Sequence, residues 1–174
     1  EETNKQLGMV FSSSIDSNDN LWIADTTHQR IQVYRQDGNL IRSLSPADLN
    51  QPVGICCLEN GEYLVADRSS DLIKRYNSNG ALLASLQRDG TGFGDLYIIT
   101  FSSSYGIFAS DHWSSRILHL DLALNIQGIY GNSGRRTGQF NRIGWMDIYK
   151  DLLAVADMRN HRIQIFDIKK TFSS

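Results

Sequence analysis

Apolar residues along this chain gather in short clusters separated by turn-forming residues, and one cluster pattern returns four times. It reads LWIADTTHQRIQVY from Leu21, YLVADRSSDLIKRY from Tyr63, IFASDHWSSRILHL from Ile107 and LAVADMRNHRIQIF from Leu153. Each copy is an apolar run, then an aspartate (Asp25, Asp67, Asp111, Asp157), then an isoleucine six positions later (Ile31, Ile73, Ile117, Ile163). The aspartates are spaced by 42, 44 and 46 residues. A drifting period of this size means copies of one supersecondary unit joined by loops of variable length.

No stretch of the repeat carries a 3.6-residue apolar stripe, so the unit is read as all β. In the second copy the pattern predicts strand a over Val53 to Leu58, strand b over Glu62 to Ala66, strand c over Leu72 to Tyr76 and strand d over Ala81 to Leu86. Asp37-Gly38, Asn60-Gly61 and Asn79-Gly80 supply the positive φ that tight hairpins need. Four-stranded units at this period predict an all-β protein, a β-propeller. An irregular β-sandwich would not repeat one Asp-to-Ile register four times. The expected organisation is a single propeller region over 1–174, with repeats at approximately 9–46, 52–90, 96–130 and 143–174.

Composition narrows the classes. With 174 residues, 41% hydrophobic and 21% charged, the chain can build a core and is neither disordered nor a coiled coil. Lys and Arg total 17 against 19 Asp and Glu, a net charge of −2, so a nucleic-acid role would rest on where charge sits. No apolar run is long enough to span a membrane, and the opening EETNKQLG lacks the pattern of a signal peptide, so no membrane partner is expected. Cys56 and Cys57 are adjacent and would point to opposite sides of a strand, which prevents a mutual bridge and fits a reducing, cytoplasmic setting. The first residue is Glu1 rather than Met, as in a fragment or processed product.

The stretch ADMRNHRIQIFD (Ala156 to Asp167) closely resembles the NHL repeat, with Asn160-His161-Arg162 in the triplet position that names it. GQFNRIGWMDI (Gly138 to Ile148) and QPVGICCLENGEYLVAD resemble its lead-in. The first copy has His28-Gln29-Arg30 in the triplet position, while the second and third depart with Ser70-Asp71-Leu72 and Ser114-Ser115-Arg116. The likeness is to the C-terminal propellers of TRIM-NHL proteins, in which a RING ubiquitin ligase module precedes a propeller that selects RNA or protein targets. NHL propellers usually close with six blades, so four copies imply a small or a partial ring. Six residues after Tyr34, Leu40 opens strand d of the first copy, and by the same count Phe172 should open the last one just before the chain ends at Ser174. Blade faces left exposed by a partial ring imply missing blades or self-association.

Antiparallel connectivity puts the b-to-c loops and the d-to-a links at one end of each sheet. There the sequence places Arg30, Arg68, Arg88, Arg116, Arg135, Arg136, Arg142, Arg159 and Arg162, with His28, His112, His161, Phe93, Tyr97 and Trp113. The opposite end carries Asp16, Asp19, Asp37, Glu59, Glu62, Asp121 and Asp151 against Arg35 and Lys150. Guanidinium groups beside aromatic rings suit an anionic partner. Arg30, Arg116 and Arg162 stand five residues after their aspartates and are expected to pair with them as structural residues, along with Asp67. The binding candidates are Arg135, Arg136, Arg142, Arg68, Arg159, His112 and Trp113, with GNSGRRTGQFNRIGW (Gly131 to Trp145) read as a flexible loop.

Catalytic patterns are missing from the sequence. His28, His112, His119 and His161 form no ligand spacing, no metal or other cofactor is expected, and Ser12 to Ser14 and Ser102 to Ser104 lack a nucleophile context. DGTGFGD (Asp89 to Asp95) lacks the Lys-Ser/Thr of a phosphate loop. The expected function is therefore a non-enzymatic recognition scaffold, with a protein as the leading partner and RNA as the second, and with any ubiquitin ligase activity in other domains. Two alternatives stay open: a metal-dependent propeller enzyme of the amidating-lyase or lactonase kind, and a bacterial or extracellular NHL sensor.

Overall fold

Strands dominate, as the period-2 clusters require. The computed structural model describes residues 6–86, 92 and 94–172. Fifteen strands, β1 (Val10–Ile15), β2 (Leu21–Asp25), β3 (Arg30–Tyr34), β4 (Leu40–Leu44), β5 (Pro52–Cys57), β6 (Tyr63–Asp67), β7 (Leu72–Tyr76), β8 (Leu82–Ser85), β9 (Leu96–Ser102), β10 (Gly106–Asp111), β11 (Arg116–Leu120), β12 (Ile126–Tyr130), β13 (Ile143–Tyr149), β14 (Leu152–Asp157) and β15 (Arg162–Asp167), are followed by a short helix α1 (Ile168–Thr171). They form four antiparallel meanders in chain order, β1 to β4, β5 to β8, β9 to β12 and β13 to β15. These are the blades of a β-propeller. The chain divides into two compact units, Glu1–Ser85 and Leu86–Ser174, each holding two sheets. Arg88, Phe93 and most of the DGTGFGD run lie outside the described residues.

The repeat works the same way in every sheet. The aspartate ends strand b, and the register pairs it with the first residue of strand c: Asp25 with Arg30, Asp67 with Leu72, Asp111 with Arg116 and Asp157 with Arg162. Between them the chain must reverse tightly. The residue before strand c takes a left-handed conformation each time, with φ of 53° at Gln29, 53° at Asp71, 52° at Ser115 and 54° at His161.

In the first unit, Trp22, Ile31 and Val33 of one sheet bury against Ile55, Tyr63, Val65 and Tyr76 of the next and Leu49 of the link between them. β6 is buried along its whole length, which is why it reads as an unbroken apolar run. The serines of β1 are structural: Ser12 Oγ accepts from the N–H of Ile55 at 3.2 Å and Ser14 Oγ from that of Cys57 at 3.0 Å. They satisfy donors of β5 that have no strand beside them on that side.

In the second unit, Ile98, Phe108 and Ile117 pack with Phe140, Ile143, Met146, Leu153 and Val155. Its last sheet departs from expectation, having three strands where four were expected. Asp167 caps a turn of helix by accepting from the Lys170 N–H at 3.2 Å, and α1 replaces the expected strand d. Phe172 thus opens no strand. It folds into the core at 5% exposure, edge-on to Tyr130 at 4.5 Å and to Phe108 at 5.1 Å. The outer face of this sheet is bare: Ile163 is 70% exposed, whereas its repeat equivalents Ile31, Ile73 and Ile117 are buried. Trp145, Tyr149, Leu152 and Ile165 are exposed beside it.

Candidate functional site

The loop end of each sheet is built around its buried aspartate. Asp25 Oδ2 accepts from Arg30 Nε at 2.9 Å, Asp111 Oδ2 from an Arg116 guanidinium nitrogen at 2.7 Å, and Asp157 Oδ2 from Arg162 Nε at 2.7 Å. In the second sheet Leu72 occupies the arginine position, and the cation comes from two residues further along the same strand: Lys74 Nζ lies 2.7 Å from Asp67 Oδ2. Sequence reasoning missed Lys74. The available signal was that residues two apart share a strand face, so the i+7 position can serve as i+5 does.

Three of the four aspartates also hold the chain segment leading into strand a. Asp25 accepts from the Gly8 N–H, Asp67 from those of Asn50 and Gln51, and Asp157 from that of Asn141 at 2.7 Å. Burial by itself would raise the Asp157 carboxyl; the bonds from Asn141, Asn160 and Arg162 outweigh it and hold the group below the usual carboxylate range. Asp25 and Asp67 are held down in the same way by their own donors.

This hub shapes the expected binding loop. The Gly131 to Arg142 link is not the loose loop expected from its glycines. Gly131 has φ +83° and lies so close to Phe140 that a Cβ would come within 2.6 Å of the ring. Phe140, 1% exposed, anchors the link, with its N–H on Asn132 O at 2.9 Å and its carbonyl receiving Gly134 N–H at 3.0 Å. Arg162 donates to Arg136 O at 2.7 Å and Gln139 O at 2.9 Å, Gln164 to Gln139 O at 2.8 Å, and Asn160 to Gly134 O at 2.8 Å. Arg142 N–H donates to Ser115 Oγ at 3.1 Å, joining the link to the β10–β11 loop.

Five of the seven binding candidates come together on this frame. A cavity of about 310 Å³ is lined by Arg135, Arg159, Asn160, His161 and Arg162. A second cavity of about 180 Å³ shares Arg159 and is bordered by His112, Trp113, Ser133 and Arg142. His112 Nε2 faces Arg142 Nε at 2.5 Å, while His112 Nδ1 lies 3.1 Å from Ile143 O. Both contacts are met at once by an imidazole that donates from Nδ1 to the carbonyl and accepts the arginine N–H at Nε2. The ring also meets Tyr97 at 5.5 Å and Trp113 at 6.5 Å. Trp113 is 73% exposed. Arg136 is exposed, with its backbone rather than its side chain built into the link. Arg68 belongs to the first unit, in the β6–β7 loop, with its N–H on Gln51 O at 2.9 Å. Sequence reasoning passed over Asn160 and Ser115 as contributors to the site.

His28 and His119 have structural roles. His28 Nδ1 lies 2.8 Å from Asp25 Oδ2, and His119 stacks on Phe108 at 4.5 Å. Among the described residues no three His, Cys, Asp or Glu side chains gather to hold a metal ion. Among those same residues, no helix is long and apolar enough to cross a membrane.

No protein-family model and no curated protein matches the chain. Solved structures do match it. A structure of the nidogen/laminin complex superposes with a TM-score of 0.74 at 19% identity, covering 95% of this chain and 62% of that one. Virginiamycin B lyase from Staphylococcus aureus gives a TM-score of 0.69 at 15% identity, over 91% of this chain and 55% of that one. A streptogramin B lyase gives 0.70 at 13% identity, over 93% and 55%. These are propeller proteins, and at such identities the likeness is one of fold. The chain spans 55% to 62% of the length of these neighbours.

Proposed function

We propose that this chain is a non-enzymatic recognition propeller that binds a protein through the loop end of its second unit. The observation that carries the reading is the contrast between two sets of arginines. Arg30, Arg116 and Arg162 are consumed by buried aspartates, whereas the Arg135 and Arg159 side chains have no ion pair or hydrogen bond among the described residues and face a shared cavity. A cavity lined with uncommitted guanidinium groups beside an exposed indole is equipped to bind rather than to transform. The fold likeness to a nidogen/laminin complex supports a protein partner, and the likeness to lyases keeps an enzyme as the competing class. Stoichiometric zinc or calcium in purified protein would favour the enzyme.

The NHL-like motifs support a role as the targeting part of a TRIM-type ubiquitin ligase, with the ligase chemistry in other domains. Cys56 and Cys57, neither of them in a disulfide, support a cytoplasmic site of action. RNA is the second reading, favoured by Arg135, Arg142 and Trp113 on one surface.

The test compares the wild type with Arg135→Ala/Arg159→Ala. Proteins retained by the first and lost by the second are purified and titrated by calorimetry, and a loss of at least about ten-fold in affinity is expected. Partners that bind both forms equally, or retention of RNA alone, would overturn the reading.

A further inference from the structure

The two adjoining cavities of the second unit differ in chemistry, and the difference defines a ligand. In the larger, Arg162 is neutralised by Asp157 and its remaining donors are spent on Arg136 O and Gln139 O. Arg135 and Arg159 therefore leave the cavity with net positive charge, and no carboxylate lines it. In the smaller, Arg142 gives its Nε–H to His112 and keeps its charge, and the largest apolar surface is the exposed ring of Trp113. Arg159 lines both, so a ligand in one abuts a ligand in the other.

The three contributing segments are held before any ligand arrives. Arg135 sits on a link pinned through Gly134 O and Phe140, Arg159 donates its own N–H to Asn141 O at 2.9 Å, and Trp113 lies in the loop that Ser115 fastens to Arg142. Preorganisation of this kind lowers the ordering cost of binding.

The amount of uncommitted charge selects the ligand class. Binding to a nucleic-acid backbone draws on many phosphate contacts, commonly about six to ten. Here the repeat aspartates absorb Arg116 and Arg162, the chain carries a net charge of −2, and three arginines without a carboxylate partner, Arg135, Arg142 and Arg159, line the two cavities. Three such cations fall short of a phosphate backbone's demand and suit two or three carboxylates next to an apolar side chain. We propose that the two cavities form one bipartite peptide site, in which Arg135 and Arg159 take Asp or Glu carboxylates and Trp113 covers an adjacent aliphatic or aromatic side chain of the same segment. This rests on the protein-recognition reading above and narrows its partner to one presenting an acidic-apolar segment.

The probes are three fluorescein-labelled peptides with Gly-Ser flanks, carrying Glu-Glu-Leu-Glu, Gln-Gln-Leu-Gln or Glu-Glu-Ser-Glu at the centre, and a labelled oligouridylate. Binding is read by anisotropy, and placement by the 19F resonance of 5-fluorotryptophan at Trp113, assigned with Trp113→Phe. The first peptide is expected to bind and to shift that resonance. The Gln peptide and the Arg135→Ala/Arg159→Ala protein each lose about ten-fold in affinity, and the Ser peptide and Trp113→Ala each lose several-fold. Arg135, Arg159 and Trp113 are all exposed, so unchanged thermal melts are expected to exclude misfolding.

Absence of binding up to about 1 mM of the first peptide overturns the proposal. So does binding that the double substitution leaves unchanged, or oligouridylate binding without peptide binding. If a purified protein partner still depends on Arg135 and Arg159 while the peptide fails, the bipartite site falls and the protein-recognition reading stands. If both fail, both fall.

Discussion

Lys74 offers the sharpest test of the repeat hub. The Asp67 side chain is fully buried and Lys74 is 8% exposed, and Leu72 stands where the other three sheets have arginine. Lys74→Met keeps the apolar stem and removes the charge, leaving Asp67 ionised with its bonds from Gln51, Asn50 and Ser69. Losing one partner of a buried ion pair costs about 3 to 5 kcal/mol, and the surviving donors put this case at the low end, about 3 kcal/mol. With a urea slope of about 2 kcal/mol per molar, the unfolding midpoint falls by about 1.5 M.

Leu72→Arg/Lys74→Gln rebuilds the arrangement of the first and fourth sheets, where an arginine at i+5 is followed by Gln32 or Gln164 at i+7. It is expected to recover the midpoint to within about 0.5 M of wild type. Urea titrations followed by tryptophan fluorescence measure both. A Lys74→Met midpoint within about 0.3 M of wild type, or a double variant no better than the single, would refute the idea that each sheet requires one cation on its aspartate.

Three further outcomes follow from the same structure. Asp25, Asp67 and Asp157 are held below the usual carboxylate range, so the stability they contribute is full above about pH 4 to 5 and drains as pH falls through their lowered values. Urea midpoints should therefore be level from neutral pH to about 5 and decline below about 4, and a midpoint that rises on acidification would contradict this. Burial pushes the Cys57 thiol up to about 12, so in the native protein it should resist iodoacetamide at pH 8 and react only on unfolding, as peptide mass mapping would record. Gln29 is exposed with φ 53°, and Gln29→Gly should raise stability by up to about 1 kcal/mol in the same titrations, whereas a loss of that size would contradict the left-handed assignment.

Local features were the most legible. β7 spans the residues expected for strand c of the second copy, and the other strands of that copy differ from expectation by one or two residues at their ends. These depend on alternation and on Asn-Gly turns, which a few neighbouring residues determine. The Asp-to-arginine pairs were legible for a related reason, because strand register brings i and i+5 opposite one another across a tight turn. Lys74 was hidden, since its partner is visible only once the register is known. The helix in place of a fourth strand was hidden too: a period count gives Phe172 a strand position, but Asp167 can cap Ile168 to Thr171, and the Phe108 and Tyr130 rings offer Phe172 a buried site. The link carrying Arg135 looked loose because its glycines and polar residues are judged locally, while the groups that fix it, Asp157, Asn160 and Gln164, lie 16 to 26 residues from the groups they bind.

The bare flank of the last sheet has a practical side. Ile163 and Ile165 alternate on β15, an edge strand whose backbone groups on one side have no neighbouring strand among the described residues, and Trp145 and Tyr149 extend the oily surface across the sheet. A surface of that kind acts as an adhesive in concentrated solution, recruiting further strands edge to edge. The purified chain should accordingly meet a solubility ceiling, and a lysine in place of Ile165 is the gatekeeper that would lift it while leaving the arginine cavity untouched.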